Sequence, residues 1–258
     1  MHNPQNATSY GTSPDGFIPT LAIAEFLKDA HKILIVGDFT KRDHDLLKTL
    51  NKNVTVIDIT PLSGIDQFYL QSITTKTPFE DNHFDGVIMA EVIEHLFEDH
   101  AALDEIHRIL SPHGKLIITV PYFSNKQDEP EYHVRIHSKK TITRLLGNSG
   151  FNIKSHFYRG IMSRLPQKNR VTKTITFGIS KLLRLTFGRN KGLYYFQKLW
   201  FSLEKFLGSN RFFLPLQRTC ISFGGIMVAT KSTKVDFMQI QKDSFIPPEV
   251  EKREPNTL

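Results

Sequence analysis

The sequence predicts an α/β protein built on a mostly parallel sheet with helices on both faces. Short apolar runs of strand length alternate with segments of helical spacing, which favours parallel strands joined by helical crossovers. The most informative stretch, residues 84–122, contains an apolar run, a carboxylate–histidine cluster, a helical pattern and a second apolar run. Polar residues thus follow a predicted buried strand directly, which is where open α/β sheets bind ligands.

Seven strands and several helices are predicted along the chain. The predicted strands are Lys32–Val36, Val54–Ile57, a short strand within Ile65–Ile73, Gly86–Ala90, Leu116–Val120, Phe151–Tyr158 and Ile221–Thr230. The predicted helices are Phe17–Ala30, which we expect to cover a sheet edge, Asp45–Leu50, Ala102–Leu110 and Thr141–Ser149. Ser111–Gly114 is expected to stop the third helix, and Ser138 is a candidate N-cap for the fourth.

Composition limits the classes of protein that fit. The 258 residues suffice for one large α/β domain with an appendage. A single cysteine, Cys220, excludes an internal disulfide and a zinc site built from cysteines. No apolar run reaches the roughly 18 residues of a spanning helix, and the polar N-terminus lacks a signal segment, so we expect a cytoplasmic protein. The net charge of +7 indicates a phosphate-bearing partner.

Domain organisation is predicted from charge and apolar content. We expect a flexible lead at 1–16, a main domain at 17–231 and a disordered tail at 232–258. A helical insertion at about 160–219 precedes the last strand and is rich in basic, leucine and aromatic residues, with Glu204 as its one acid. Such a composition is typical of a helix at an anionic membrane surface. An ordinary helical cap or lid on the sheet is the alternative.

Four motifs follow one another in a characteristic order. They are Thr77–Asp85 as a lead-in, Glu91-Val92-Ile93-Glu94-His95, Arg108–Gly114 and Val120-Pro121. This series resembles the class I S-adenosylmethionine-dependent methyltransferases, in the branch with E-x-x-E-H after the fourth strand, and covers roughly residues 32–160. The resemblance implies a Rossmann-like, seven-stranded sheet of order 3-2-1-4-5-7-6 with the last strand antiparallel. It also implies S-adenosyl-L-methionine as the methyl donor.

The donor site is expected where the first, second and fourth strands end. Gly37 is placed for a close backbone approach, and Asp58 is placed to accept from ribose hydroxyls. A turn glycine and a turn or capping carboxylate are the alternatives for these two residues. The resemblance implies further donor contacts at Ser72, Ile73, Ala90 and Glu91, and Asp38 or Asp43 is a candidate to meet the amino group of the donor's methionine part. The family's glycine-rich loop is eroded here, because only Gly37 of its three glycines remains.

The cluster Glu91, Glu94 and His95 has three interpretations. A similar E-x-x-E-H binds a divalent metal in some related methyltransferases, although a metal is the disfavoured reading for this chain. Alternatively, His95 is a general base oriented by Glu94. The third interpretation is structural, with Glu94 or His95 capping the next helix and satisfying buried backbone groups. His133 is the second candidate for positioning or deprotonating the acceptor.

The loop after the fifth strand is expected to form a lid over the acceptor. Its candidate acceptor contacts are Tyr122, Arg135 and His137. The alternative for His137 is that it merely precedes the Ser138 cap of the next helix.

The function predicted from these features is O-methylation of a small or lipid-linked acceptor, such as a glycan intermediate, at the inner face of a membrane. The alternative is a non-catalytic Rossmann-like module that binds a membrane or a partner through its basic insertion. Nucleic acid is a disfavoured acceptor, because neither N-P-P-Y nor a paired Pro-Cys is present. A nicotinamide oxidoreductase is disfavoured because G-x-G-x-x-G is absent.

Overall fold

The structure is a computed structural model that describes part of the chain. The described residues are 23, 25–38, 41–122, 132–159, 170–187, 199, 202, 203, 206 and 224–232. The predicted lead, nearly all of the predicted tail, Cys220 and most of the insertion lie outside these residues. Residues 123–131 of the predicted lid and 221–223 of the last predicted strand also lie outside them.

Seven strands form one sheet in the order β3-β2-β1-β4-β5-β7-β6, which confirms the predicted topology. The strands are β1 (Lys32–Val36), β2 (Asn53–Asp58), β3 (Phe68–Leu70), β4 (Phe84–Ala90), β5 (Leu110–Pro121), β6 (Phe151–Arg159) and β7 (Gly224–Lys231). Strands β1 to β5 pair in parallel, whereas β7 runs antiparallel to both β5 and β6. The central strands are buried along nearly their whole length, as a parallel sheet covered on both faces requires.

Helices cover both faces of this sheet. They are α1 (Arg42–Thr49), α2 (Asp99–Ile109), α3 (Lys139–Asn148) and α4 (Arg170–Phe187), together with a 3₁₀ turn at Ile93–His95. One apolar cluster joins α2 and α3 to the sheet. A second cluster on the other face includes Leu47 of α1, with Leu183 of α4 packed against it. The two clusters explain the alternation of strands and helices in the sequence.

The prediction that the segment Phe17–Ala30 covers a sheet edge is wrong. Ile23 and Leu27 are fully buried in the second cluster, so this segment packs on the face of the sheet. Gly86 of β4 makes room for it, because a Cβ at Gly86 would lie 2.9 Å from Leu27 Cδ2. The absence of a side chain in a central strand therefore sets where this segment packs.

Two predicted boundaries also shift. Helix α1 begins at Arg42 rather than Asp45. The helix α2 ends at Ile109 rather than Leu110, and Ser111–Gly114 belongs to β5 rather than to a connecting turn. The pairing with β4 passes from Phe84↔Leu110 to Gly86↔Lys115, so the extra residues form an irregularity within the strand pair.

The start of α3 matches its prediction. The Ser138 hydroxyl accepts from the Thr141 backbone N–H at 3.2 Å, and the Thr141 hydroxyl accepts from the Ser138 backbone N–H at 2.8 Å. This reciprocal capping box satisfies two N–H groups that the helix itself cannot pair. It also fixes the chain directly after His137, beside the candidate site.

Candidate active site

The site lies where β1, β2 and β4 end side by side. Val36 of β1 pairs with Ile57 of β2 on one side and with Met89 of β4 on the other. The next residues along these strands are Gly37, Asp58 and Ala90, so the sheet brings the three expected donor positions to one edge.

Gly37 adopts a conformation that favours glycine. Its φ is +70°, and its N–H donates to the Ile57 carbonyl at 3.0 Å. A Cβ on Gly37 would lie only 2.8 Å from Val92 Cγ2. Both the left-handed backbone and the close side chain of Val92 therefore require glycine here. No pattern in the sequence indicates the contact between Gly37 and Val92.

Asp58 ends β2 with a fixed carboxylate. Its Oδ1 accepts from the Thr60 N–H at 2.8 Å, and this bond orients the side chain. Among the residues that the structure describes, nothing donates a hydrogen bond to Oδ2. One oxygen is therefore held by the turn while the other can accept from a ligand.

The remaining expected donor residues have different surroundings. Asp38 is buried, and its Oδ2 accepts from the His44 N–H in α1 at 2.8 Å. The Ile73 side chain lies in the core, which leaves its main chain as the part that could meet a ligand. The Ser72 hydroxyl lies 2.9 Å from that of Thr74 within a local turn.

Glu91 follows Ala90 in a strained conformation. Its φ of +55° is uncommon for a residue with a side chain. Its N–H donates to the Thr119 carbonyl at 3.1 Å, and its Oε1 accepts from the Thr119 hydroxyl at 2.6 Å. Strain of this kind concentrates at functional sites, where surrounding contacts hold it.

Glu94, His95 and His133 form a compact group that we call the Glu94–His95–His133 cluster. The 3₁₀ turn buries Glu94 to 1% exposure and leaves the His95 side chain 34% exposed. The Glu94 carbonyl accepts from the N–H groups of Val134 and Arg135, which brings His133 alongside. Neither Glu94 nor His95 caps α2, whose N-cap is Glu98 without a side-chain cap hydrogen bond.

The tautomer of the His95 ring follows from its contact with Tyr132. His95 Nδ1 lies 3.0 Å from the Tyr132 carbonyl oxygen. Because a carbonyl only accepts, Nδ1 carries the hydrogen, and in the neutral ring Nε2 has the free lone pair. Nε2 lies 3.9 Å from Glu94 Oε1, which is too far for a hydrogen bond.

The same cluster is the part of the described chain that could hold a metal. One ligand atom from each of the three residues lies within 4.8 Å of the others. One carboxylate and two imidazoles suit a transition metal better than magnesium. Glu91 stands outside this group, since its Oε1 accepts from Thr119.

Arg135 and His137 line a cleft of about 360 Å³ together with Asp99 and Arg144. Arg135 pairs through Nη1 with the buried carboxylate of Asp99 and donates through Nη2 to the Phe97 carbonyl at 3.1 Å. His137 is 5% exposed, and its Nε2 has no hydrogen-bond partner among the described residues. Burial lowers the pKa of His137, and nearby Arg135 adds to the effect against the opposing pull of Asp99. His137 is therefore neutral near pH 7.

The Tyr122 side chain lies against the antiparallel strands β6 and β7. Its hydroxyl lies 2.8 Å from His156 Nε2, and a Cβ on Gly225 would lie 2.0 Å from that hydroxyl oxygen. Burial, with the Lys139 charge, lowers the pKa of His156 to about 4. The contact therefore joins a tyrosine to a neutral histidine.

Arg108 is a motif residue whose role sequence reasoning missed. Its guanidinium donates to the Phe79 carbonyl at 2.9 Å, to Asp81 Oδ1 at 2.6 Å and to Glu105 Oε2 at 2.9 Å. Glu105 also accepts from the Thr77 N–H at 2.7 Å. Burial raises the pKa of Glu105, but the hydrogen bonds from Arg108 and Thr77 outweigh it, so the pKa is lowered overall. Arg108 thus links α2 to the Thr77–Asp85 lead-in segment.

The strand order and the helices on both faces define a Rossmann-like α/β protein, and the candidate site lies at the carboxyl edge of β1, β2 and β4. Residues 22–118 match the family model described as a methyltransferase domain. This match covers less than half of the chain, and it supports the resemblance to the class I S-adenosylmethionine-dependent methyltransferases found in the sequence.

Curated relatives match over part of their length. A probable S-adenosylmethionine-dependent methyltransferase of Mycolicibacterium smegmatis is 32% identical over 84 residues, which cover 31% of this chain and 33% of the relative. The ubiquinone/menaquinone biosynthesis C-methyltransferase UbiE of Shewanella sp. (strain ANA-3) is 38% identical over 61 residues, or 24% of each chain. The similarity thus spans about a third or less of these relatives.

A solved structure extends the likeness of fold to most of the chain. It is the 1,6-didemethyltoxoflavin-N1-methyltransferase of Burkholderia thailandensis, with bound 1,6-didemethyltoxoflavin and S-adenosylhomocysteine. It covers 90% of this chain and 92% of its own, at a TM-score of 0.53 and 12% identity. At this identity the likeness concerns the fold.

Proposed function

We propose that this protein transfers a methyl group from S-adenosyl-L-methionine to a hydroxyl oxygen of a small or lipid-linked acceptor. The observation that carries the proposal is the pairing of two features at one edge of the sheet. Asp58 offers an acceptor oxygen at the end of β2, and His95 offers a basic nitrogen after β4. Bound S-adenosyl-L-methionine would supply a methyl carbon activated by its sulfonium.

The donor half of the proposal rests on Gly37 and Asp58. Gly37 has no side chain, so the donor can approach the backbone closely at the end of β1. Asp58 Oδ2 accepts from the ribose hydroxyls. The Thr60 hydrogen bond holds the carboxylate in place before the donor binds. A preorganised acceptor of this kind loses little conformational freedom on binding.

The acceptor half rests on His95. Nε2 takes the proton of the acceptor hydroxyl, while that oxygen bonds to the methyl carbon and the carbon–sulfur bond breaks. The Glu94 carboxylate, 3.9 Å away, stabilises the resulting imidazolium. His133 lies against His95, with ring centroids 4.9 Å apart, and helps to position the acceptor.

A metal at the Glu94–His95–His133 cluster would exclude this role of His95. Nδ1 is occupied by the Tyr132 carbonyl, so a metal ligand and a base would both need Nε2. We therefore propose metal-independent catalysis. Dialysis against EDTA followed by metal analysis and an activity assay distinguishes the two roles, because the base role predicts full activity in metal-free protein.

The basic residues of the cleft favour an acceptor that carries phosphate, such as a lipid-linked glycan at the cytoplasmic face of a membrane. Arg135, His137 and Arg144 line this cleft. The Arg135 charge is balanced by Asp99, which leaves Arg144 as the cation available to a ligand.

The test has two stages. Calorimetry with S-adenosylhomocysteine should show binding, and its absence in folded protein would instead favour a non-catalytic module. Purified protein is then incubated with methyl-labelled S-adenosyl-L-methionine and a membrane lipid extract. Alkali-stable label in the lipid phase is expected for an ether formed on a lipid-linked acceptor. Label confined to nitrogen or carbon products would contradict O-methylation.

A further inference from the structure

We infer that α4 docks this protein on an anionic lipid bilayer, with one apolar stripe of the helix in the interface. The inference concerns a surface that the proposed chemistry does not use. It holds or fails independently of methyl transfer.

The stripe consists of Ile175, Leu182 and Leu185. Their exposed fractions are 55%, 64% and 74%. With 3.6 residues per turn, these positions lie on one face of α4. Leu183 points away from that stripe and packs against the apolar cluster on the sheet. Leu183 thus lies on the side of the helix that faces the sheet, while the exposed stripe faces outward.

Exposed apolar side chains are concentrated in this part of the sequence. Nine of the sixteen large apolar side chains found exposed in the described residues lie between positions 175 and 206. They include Leu199, Leu203 and Phe206 in addition to six on α4. Single exposed leucines are ordinary, but a concentration of this kind marks an interaction surface.

The charge identifies the partner. Residues 160–219 contain twelve basic residues and one acid, a net charge of +11, so the remainder of the chain carries −4 within the total of +7. Within α4 there are four basic residues and no acidic one. An anionic bilayer offers both an apolar layer for the stripe and phosphates for the cations. Nucleic acid would match the charge but would leave the leucines in water.

The helix is suited to lie on the membrane rather than to cross it. None of the helices in the described part of the chain has the length and apolarity of a membrane span. The 18-residue sequence of α4 combines four basic residues and no acidic one with its leucines and phenylalanines, a composition typical of interfacial helices.

Vesicle co-sedimentation tests the inference with the full chain. Vesicles of phosphatidylcholine alone are compared with vesicles containing 30% phosphatidylglycerol, at low and at high salt. We expect binding to the anionic vesicles at low salt and weaker binding at high salt. Lys181→Gln should weaken binding about five-fold, since each basic group near an anionic surface contributes about 1 kcal/mol. Leu182→Asp and Leu185→Asp should each weaken it at least ten-fold.

Matched controls separate docking from folding and from catalysis. Lys28→Gln and Leu50→Asp change an exposed cation and an exposed leucine elsewhere, and should bind vesicles like the wild type. All five variants should keep the wild-type circular dichroism spectrum and S-adenosylhomocysteine affinity. Failure to bind anionic vesicles at low salt would overturn the inference. So would equal loss in the controls, or binding to single-stranded RNA in place of vesicles.

Discussion

Asp58→Asn isolates the donor role that we propose for the end of β2. Asparagine keeps an oxygen that can accept from the Thr60 N–H, now made at 2.8 Å, so the turn should persist. The other carboxylate oxygen becomes an NH₂ group, which cannot accept from a ribose hydroxyl. The substitution thus removes the ligand contact and leaves the local structure.

The expected magnitude follows from the kind of bond that is lost. A hydrogen bond to a charged group is worth about 1.5–3 kcal/mol. Asp58 is partly exposed, so we expect the lower half of that range. At about 1.4 kcal/mol for each factor of ten, the Kd for S-adenosylhomocysteine should rise by roughly 10- to 40-fold.

Calorimetry on the wild type, Asp58→Asn and Asp66→Asn provides the measurement. Asp66 is a matched control, because it follows the same strand but is 88% exposed and lies 3.8 Å from Lys48. Its variant should bind like the wild type. An unchanged Kd for Asp58→Asn, in a protein with the wild-type melting temperature, would refute the donor assignment. An equal loss in Asp66→Asn would show that the effect is general charge rather than ribose recognition.

Three further predictions concern the acceptor side and stability. His95→Ala should lower turnover by about 10²–10⁴-fold with unchanged S-adenosylhomocysteine affinity. The control His113→Ala changes an exposed histidine and should be fully active. Wild-type turnover in His95→Ala would show that His95 is not the base. Arg108→Ala should lower the free energy of unfolding by about 2–4 kcal/mol in urea titrations, because it leaves the buried Glu105 without its cation. Arg144 is exposed, so Arg144→Ala should cost less than about 0.5 kcal/mol. An equally small loss in Arg108→Ala would contradict the prediction. His156 has a folded pKa of about 4 against 6.5 when unfolded, so the unfolded chain binds more protons between these values, and stability should fall as pH drops from 6.5 to 4. His156→Gln should flatten that slope, and an unchanged slope would show that other groups cause it.

The strands were predictable because each is a run of apolar residues that both helical layers bury. The order of the strands came from the motif series, since periodicity alone does not reveal which strands are neighbours. The place of the N-terminal segment was missed because it depends on Leu27 meeting the space at Gly86, a contact between residues 59 positions apart. The irregularity at Ser111–Gly114 was missed because Pro-His-Gly has the composition of a turn.

The sequence predicted at which edge of the sheet the candidate site lies, but not which atoms are in contact there. The ends of β1, β2 and β4 had to meet once the strand order was known. Adjacency to Gly37 could not reveal that the Asp38 carboxylate accepts from His44 in α1. Likewise, the pairing of Arg135 with Asp99 depends on a return of the chain across 36 positions. Spacing predicts which residues approach an edge, whereas the direction of each side chain depends on partners distant in sequence.

The position of β7 has a consequence for synthesis on the ribosome. Strand β6 joins the sheet through β7, which lies between it and β5. The 64 residues from 160 to 223 must be translated before β7 emerges, which takes roughly 3–13 s at typical rates. During that interval the first five strands can assemble, but the β5 edge beside Ile117 and Ile118 has no neighbour. Nascent chains arrested before Gly224 should therefore be protease-sensitive, and resistance should arise once Lys231 has left the exit tunnel.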